Sequence, residues 1–256
     1  MRDPHVTSLT YVAVSSPTDS FDRAQPIQGK IDSLQFTLEH GLLLITPSTH
    51  FPSVEKAREF VDPLLEAWQI DIYLRYGEQV LSFAYETGDL IDRNPPPPGS
   101  PKIVEIGMAI ESDSALSITP LVARARHPEP PVHFRATPTT LTLWHRYQGY
   151  KQGREPLPAM AYFCLTVLES SAGSRKDASF AFKISRNVLD RIGELTTERG
   201  DRLSARKYGA VASGRPLAGN EVRWLEEVVK AIIRRMGELH ALDTLPQIDM
   251  LSLPQL

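Results

Sequence analysis

Cysteine is nearly absent. Cys164 is the only one in 256 residues, which excludes an intrachain disulfide and any zinc site built on paired cysteines. Its setting, AMAYFCLTVL, is that of a buried apolar filler rather than a nucleophile. No apolar run approaches the roughly 18 to 20 residues that a membrane-spanning helix needs. The opening MRDPHVTSLTYVAV places polar residues and Pro4 where the apolar stretch of a secretory signal would lie. A cytoplasmic protein with no membrane partner is therefore expected. A glycine-rich phosphate loop, a G-x-S-x-G nucleophile elbow and an internal repeat of useful length are also missing. No cofactor or metal is expected.

What remains is ordinary material for a folded chain: 41% hydrophobic and 23% charged residues, enough to bury a core without covalent staples. The net charge of −3 conceals an asymmetry. Residues 1 to 136 carry 11 Lys or Arg against 18 Asp or Glu, and residues 137 to 256 carry 17 against 13. The second half would tolerate a polyanion and the first would repel one.

The patterning changes at the same place. Before residue 136, short alternating runs dominate. Leu9–Val14 reads as a strand, and the segment from Ser15 to Gly29 as a polar loop. Leu34, Phe36 and Leu38 alternate up to a turn at His40 and Gly41, and an apolar run then returns to Pro47, which is a hairpin pattern. Ser53 is positioned to cap a helix reaching Trp68, with Pro63 expected to kink or split it. Ile70, Ile72, Leu74 and Tyr76 alternate, as do Leu81, Phe83 and Tyr85 beyond Gly77, which predicts a second hairpin turning at that glycine. The four consecutive prolines within Asn94–Pro101 punctuate the chain as a stiff surface loop, and a third hairpin is expected over residues 102 to 125. His127, Glu129 and His133 are conceivable metal ligands, but the prolines among them prevent the helix that would align them.

After residue 136 the period becomes helical. Thr137 caps a helix over Pro138–Lys151 that Gly153 stops. The segment from Met160 to Leu168 is apolar nearly all round, as a buried helix is, and Lys176–Arg199 is amphipathic. Arg202, Arg206, Lys207 and Arg215 fall in a basic loop rich in glycine and alanine. The last helix is expected over Asn220–Leu242, with Val222, Leu225, Val229, Ile232, Met236 and Leu239 on one stripe. The fold expected is α+β: residues 1–136 as a mostly antiparallel β domain with one kinked helix, and residues 137–256 as an all-α bundle of four to five helices with an irregular tail.

That last helix carries the functional signal. Arg234 and Arg235 precede His240 by six and five residues. An arginine and a histidine at this spacing, on the last long helix of a small bundle, resemble the HEPN domain family, over residues 137 to 244 at most. The resemblance implies a homodimer that cuts RNA without a metal, in stress or defence, with His240 as general acid or base and Arg234 or Arg235 stabilising the phosphorane. Arg234 fits better, because a polar residue usually follows the family's arginine and Arg235 does so here, whereas Met236 follows Arg235. Imidazole titrates near neutrality and guanidinium forms paired bonds to phosphate, so the chemistry is sound. On a regular helix these offsets leave His240 turned away from both arginines, and a distortion at Gly237 would bring them closer. The residues also admit a plainer account: the arginines pair with Glu238 and complement the helix dipole, while His240 ends the helix. The rival expectation is a catalytically silent interaction or dimerisation module, with a β-rich recognition domain and the Arg202–Arg215 loop contacting an acidic protein partner.

Overall fold

The computed structural model describes residues 3–17, 19–21, 23–78, 80–94, 122–198 and 216–256. It divides into two compact units, Met1–Val132 and His133–Leu256, and has the expected α+β character.

The first unit is built on a five-stranded antiparallel sheet of order β3-β4-β5-β1-β6, from β1 (Pro4–Ser15), β3 (Ile27–Ile31), β4 (Leu34–Glu39), β5 (Leu42–Pro47) and β6 (Leu81–Asp92). Period-two alternation decides its two faces. Along β4 Leu34, Phe36 and Leu38 are buried, and along β5 Leu43, Ile45 and Pro47, while their neighbours are exposed or half-buried. The β4–β5 turn is made by His40 and Gly41, both with positive φ (51° and 74°), as a two-residue turn between twisted strands requires. The short strands β2 (Asp19–Ser20) and β7 (Val122–Ala123) pair in parallel. Most of the third hairpin, residues 102–121, lies outside the described residues, as do the prolines from Pro95 to Pro101. Strand β3 lies partly within the segment read as a polar loop.

One expectation is overturned. Residues 70–76 are the last two turns of a single helix, α1 (Val54–Tyr76), and not a strand. Ser53 caps it by accepting the Lys56 N–H, and Pro63 does not split it. Val61, Leu65, Trp68 and Ile72 form one buried stripe, and Ala67, Ile70 and Leu74 a second. A helix buried on two stripes produces alternating apolar residues without being a strand. Gly77 ends it in the left-handed region (φ 80°), its N–H donating to the Tyr73 carbonyl at 2.8 Å. Trp68 packs against Phe36 and Phe83, with ring centroids 5.6 and 4.8 Å away.

The second unit contains α2 (Pro138–Lys151), α3 (Leu157–Ala172), α4 (Arg175–Ala181), α5 (Arg186–Glu198), α6 (Gly219–Gly237) and a 3-10 helix over Leu239–Thr244. Thr137 caps α2 as expected. The helix expected over Lys176–Arg199 is broken into α4 and α5. Lys183 takes a left-handed conformation (φ 48°), and Ile184 instead bridges to Ile248 in the tail. The last helix is also shorter than expected: α6 stops at Gly237, so His240 lies on the 3-10 helix beyond it. Trp224, Leu225, Val228, Val229, Ile232, Ile233 and Met236 form the buried face of α6, while Leu239 is exposed. The C-terminal tail packs back, as anticipated, through Ile248.

Candidate functional site

The end of α6 is fixed by the absence of a side chain. A Cβ on Gly237 would collide with the ring of Phe134, which is 1% exposed, so glycine is what lets that ring seat against the helix. The Arg135 N–H then donates to the Gly237 carbonyl at 2.9 Å, satisfying one of the acceptors that a helix leaves unpaired at its C-terminus. These two contacts hold the segment beginning at His133 along the end of α6.

Past Gly237 the chain tightens into the 3-10 helix, with the Glu238 N–H donating to the Arg234 carbonyl at 3.0 Å and the Ala241 N–H to the Glu238 carbonyl at 2.9 Å. This turn presents His240 beside His133. The ring centroids lie 6.2 Å apart with the planes at 62°, and both residues are exposed. Two exposed imidazoles at this separation can take and give protons on one small substrate.

The two arginines part company. Arg234 is at the surface, its side chain 36% exposed, with Nε 3.8 Å from Glu238 Oε1. Arg235 is buried. Its guanidinium donates to the carbonyls of Phe182 at 2.6 Å, Lys183 at 3.1 Å and Pro246 at 2.6 Å, and burial lowers its pKa. Those carbonyls include the two at the break between α4 and α5, so Arg235 ties the break and the tail to α6. The carbonyls of Phe182 and Pro246 would otherwise lack a donor, while that of Lys183 also accepts the Ile248 N–H.

Arg202, Arg206, Lys207 and Arg215 lie outside the described residues. His127 and Glu129 belong to the first unit and His133 to the second. No group of three or more side chains able to hold a metal occurs among the described residues. His127 is buried and stacks on Phe21, 5.0 Å between centroids and 14° between planes. Cys164 is fully buried, and burial pushes its thiol up to about 12, which keeps it protonated and inert.

The pairing of His133 with His240 has no signature in the sequence, since the two residues are far apart along the chain and meet only because Phe134 docks on Gly237. The one available hint was the glycine inside an otherwise regular apolar stripe. Comparison with protein-family models, with curated protein sequences and with solved structures finds no match.

Proposed function

We propose that the second unit binds single-stranded RNA and cleaves it without a metal, with His240 and His133 as the proton-transfer pair. The observation that carries this reading is the approach of two exposed imidazoles to 6.2 Å at the end of α6. One imidazole takes the proton of a ribose 2′-hydroxyl, whose oxygen attacks the adjacent phosphorus. The other protonates the departing 5′-oxygen. The products are a 2′,3′-cyclic phosphate and a free 5′-hydroxyl, and each imidazole ends in its partner's starting protonation state. Arg234, at the surface on the last turn of α6, is the guanidinium assigned to the phosphate, which would take over from Glu238 as its partner. The cationic surplus of the second half favours a polyanion. The HEPN resemblance enters through His240 and Arg234, with His133 taking the place beside the histidine that Arg235, held in the interior, does not fill.

The test is cleavage of an unstructured RNA in EDTA by the purified chain and by His240→Ala and His133→Ala. Each substitution is expected to remove at least about 100-fold of the rate, the lower end of what general acid–base catalysis supplies. Unchanged cleavage in both variants overturns the reading.

A second reading rests on the engagement of both arginines, Arg234 near Glu238 and Arg235 on three carbonyls. It makes the second unit a silent module that dimerises or holds a protein partner. RNA bound with no turnover, or not bound at all, in a chain that sediments as a dimer favours it.

A further inference from the structure

Independently of the second unit, the first contains a partly open cavity of about 350 Å³ where the C-terminal end of β1 meets the β4–β5 turn. Its lining divides cleanly by chemistry. Phe21, Pro26 and Leu81 form apolar wall, His127 contributes an imidazole, and Glu39 a carboxylate. Phe21 and His127 stack nearly parallel on each other, which holds the imidazole in place at the cavity wall.

His127 is what marks this space as more than a packing defect. It is 5% exposed, and it has no hydrogen-bond partner among the described residues. Its Nδ1 is sealed from solvent, so Nε2 is the ring nitrogen that can meet a guest. Burial lowers its pKa, which leaves the ring neutral and able to take one hydrogen bond without a charge to desolvate. A buried polar ring left without a partner calls for an explanation. A cavity of this size lies at the small end of the range for ligand sites, and its lining mixes apolar side chains with the polar groups of Ser15, Glu39, His40 and His127.

We propose that this cavity binds a small aromatic amine. The aromatic body lies among the apolar side chains, its ring N–H donates to His127 Nε2, and the amino group faces the Glu39 carboxylate. Glu39 stands beside His40, Oε1 to Nε2 at 3.2 Å, so an entering cation replaces a weak surface partner rather than competing with a buried one.

Titration calorimetry of the full chain with three probes tests this: tryptamine, indole and toluene. Tryptamine is expected to bind one to one and more tightly than indole, and toluene more weakly than either. His127→Phe preserves the ring volume and the stack on Phe21 while removing the nitrogen, and is expected to weaken indole and tryptamine by up to about tenfold, the range of a single hydrogen bond. Glu39→Gln, at an exposed position, is expected to bring tryptamine to the level of indole and leave indole unchanged. The proposal is overturned if neither nitrogenous probe saturates, if toluene binds as well as indole, or if either substitution leaves tryptamine binding as it was. RNA cleavage plays no part in these readouts, so failure here leaves the reading of the second unit standing, and the reverse.

Discussion

Phe134 occupies the space that any side chain on Gly237 would need. Gly237→Ala therefore sets two effects against each other. Alanine is favoured over glycine in a helix by about 1 kcal/mol. Against it, forcing a methyl group into a packed aromatic ring costs typically about 1 to 3 kcal/mol, and Phe134 has no exposed side toward which to move. The steric term should win, because three ring atoms of Phe134 lie within 2.9 Å of where the Cβ would stand and the ordinary φ of Gly237 adds no strain of its own. The expected outcome is a lower melting temperature. In nuclear magnetic resonance spectra the His133 and His240 ring signals should move while those of the first unit stay in place. A melting temperature at or above that of the parent would show that the ring yields freely.

Arg235 separates a structural from a catalytic part for the arginine pair. Arg235→Met keeps an apolar stem of similar length but leaves the carbonyls of Phe182 and Pro246 without their donor, while that of Lys183 keeps the Ile248 N–H. A stranded buried acceptor costs about 1 to 3 kcal/mol, so a loss of about 2 kcal/mol or more is expected. Arg235→Lys should recover only part, since an ammonium lacks the planar fork that spans acceptors on two segments. Denaturant melts give the stability, and RNA cleavage per folded molecule should be unchanged. A fall in cleavage with the fold intact would put Arg235 in the reaction.

These residues also show where the sequence was readable and where it was not. The β4–β5 hairpin and the start of α2 were legible because their signals are local: a His-Gly turn tolerant of positive φ, and Thr137 ahead of Pro138. The break between α4 and α5 was illegible because no glycine or proline marks it. It is set by partners far along the chain, with the Ser185 N–H donating to the Ile248 carbonyl at 2.7 Å, the Ile248 N–H to the Lys183 carbonyl at 2.9 Å, and Arg235 holding the carbonyls of Phe182 and Lys183. The stretch Ile70–Tyr76 misled for another reason, since a helix buried on two sides and a strand buried on one leave the same alternation over seven residues. At the candidate site, His240 and the arginines were visible as residue types, but which arginine faces inward depended on the α4–α5 break, and the partner of His240 depended on Phe134.

Acid should weaken both units, each through an identifiable group. In the first, His5 stacks on His50 at 5.3 Å and is 8% exposed. Burial, then the charges of Arg93 and His50, lower its pKa, and Asp3 only partly opposes them. A histidine whose pKa is depressed on folding binds its proton more readily in the unfolded chain, so its contribution is complete above the ordinary value of about 6.5 and is lost as the pH falls toward the folded value. In the second unit, burial alone would raise the Glu226 carboxyl. Hydrogen bonds from Lys151 and Tyr147, with the charges of Lys151 and Lys230, instead hold it below its ordinary value. That contribution is complete above the ordinary carboxylate range and is lost on acidification below it. Urea melts between pH 4 and 7 should show the first unit weakening from about pH 6.5 downward and the second only at lower pH. His5→Phe should reduce the first dependence and leave the second as it was, the remainder belonging to His127, whose pKa burial also lowers. A first unit whose stability does not change between pH 7 and 5 would remove His5 as the cause.

The β4–β5 turn offers a substitution expected to stabilise. His40 and Gly41 both sit in the left-handed region, where a two-residue hairpin turn strongly favours asparagine followed by glycine. Histidine is tolerated there, but asparagine is better suited, because its short polar side chain bonds to the nearby backbone in that conformation. His40 is also well exposed, with its side chain at 85%, and its ion pair is with Glu39, itself exposed, so its removal forfeits little. His40→Asn is therefore expected to raise stability by a few tenths to about 1 kcal/mol, in the range of other backbone-compatible turn substitutions. His40→Val, β-branched at positive φ, should lower it by more than that. Equal stability of the two variants in denaturant melts would mean that the turn is not held in this conformation in solution.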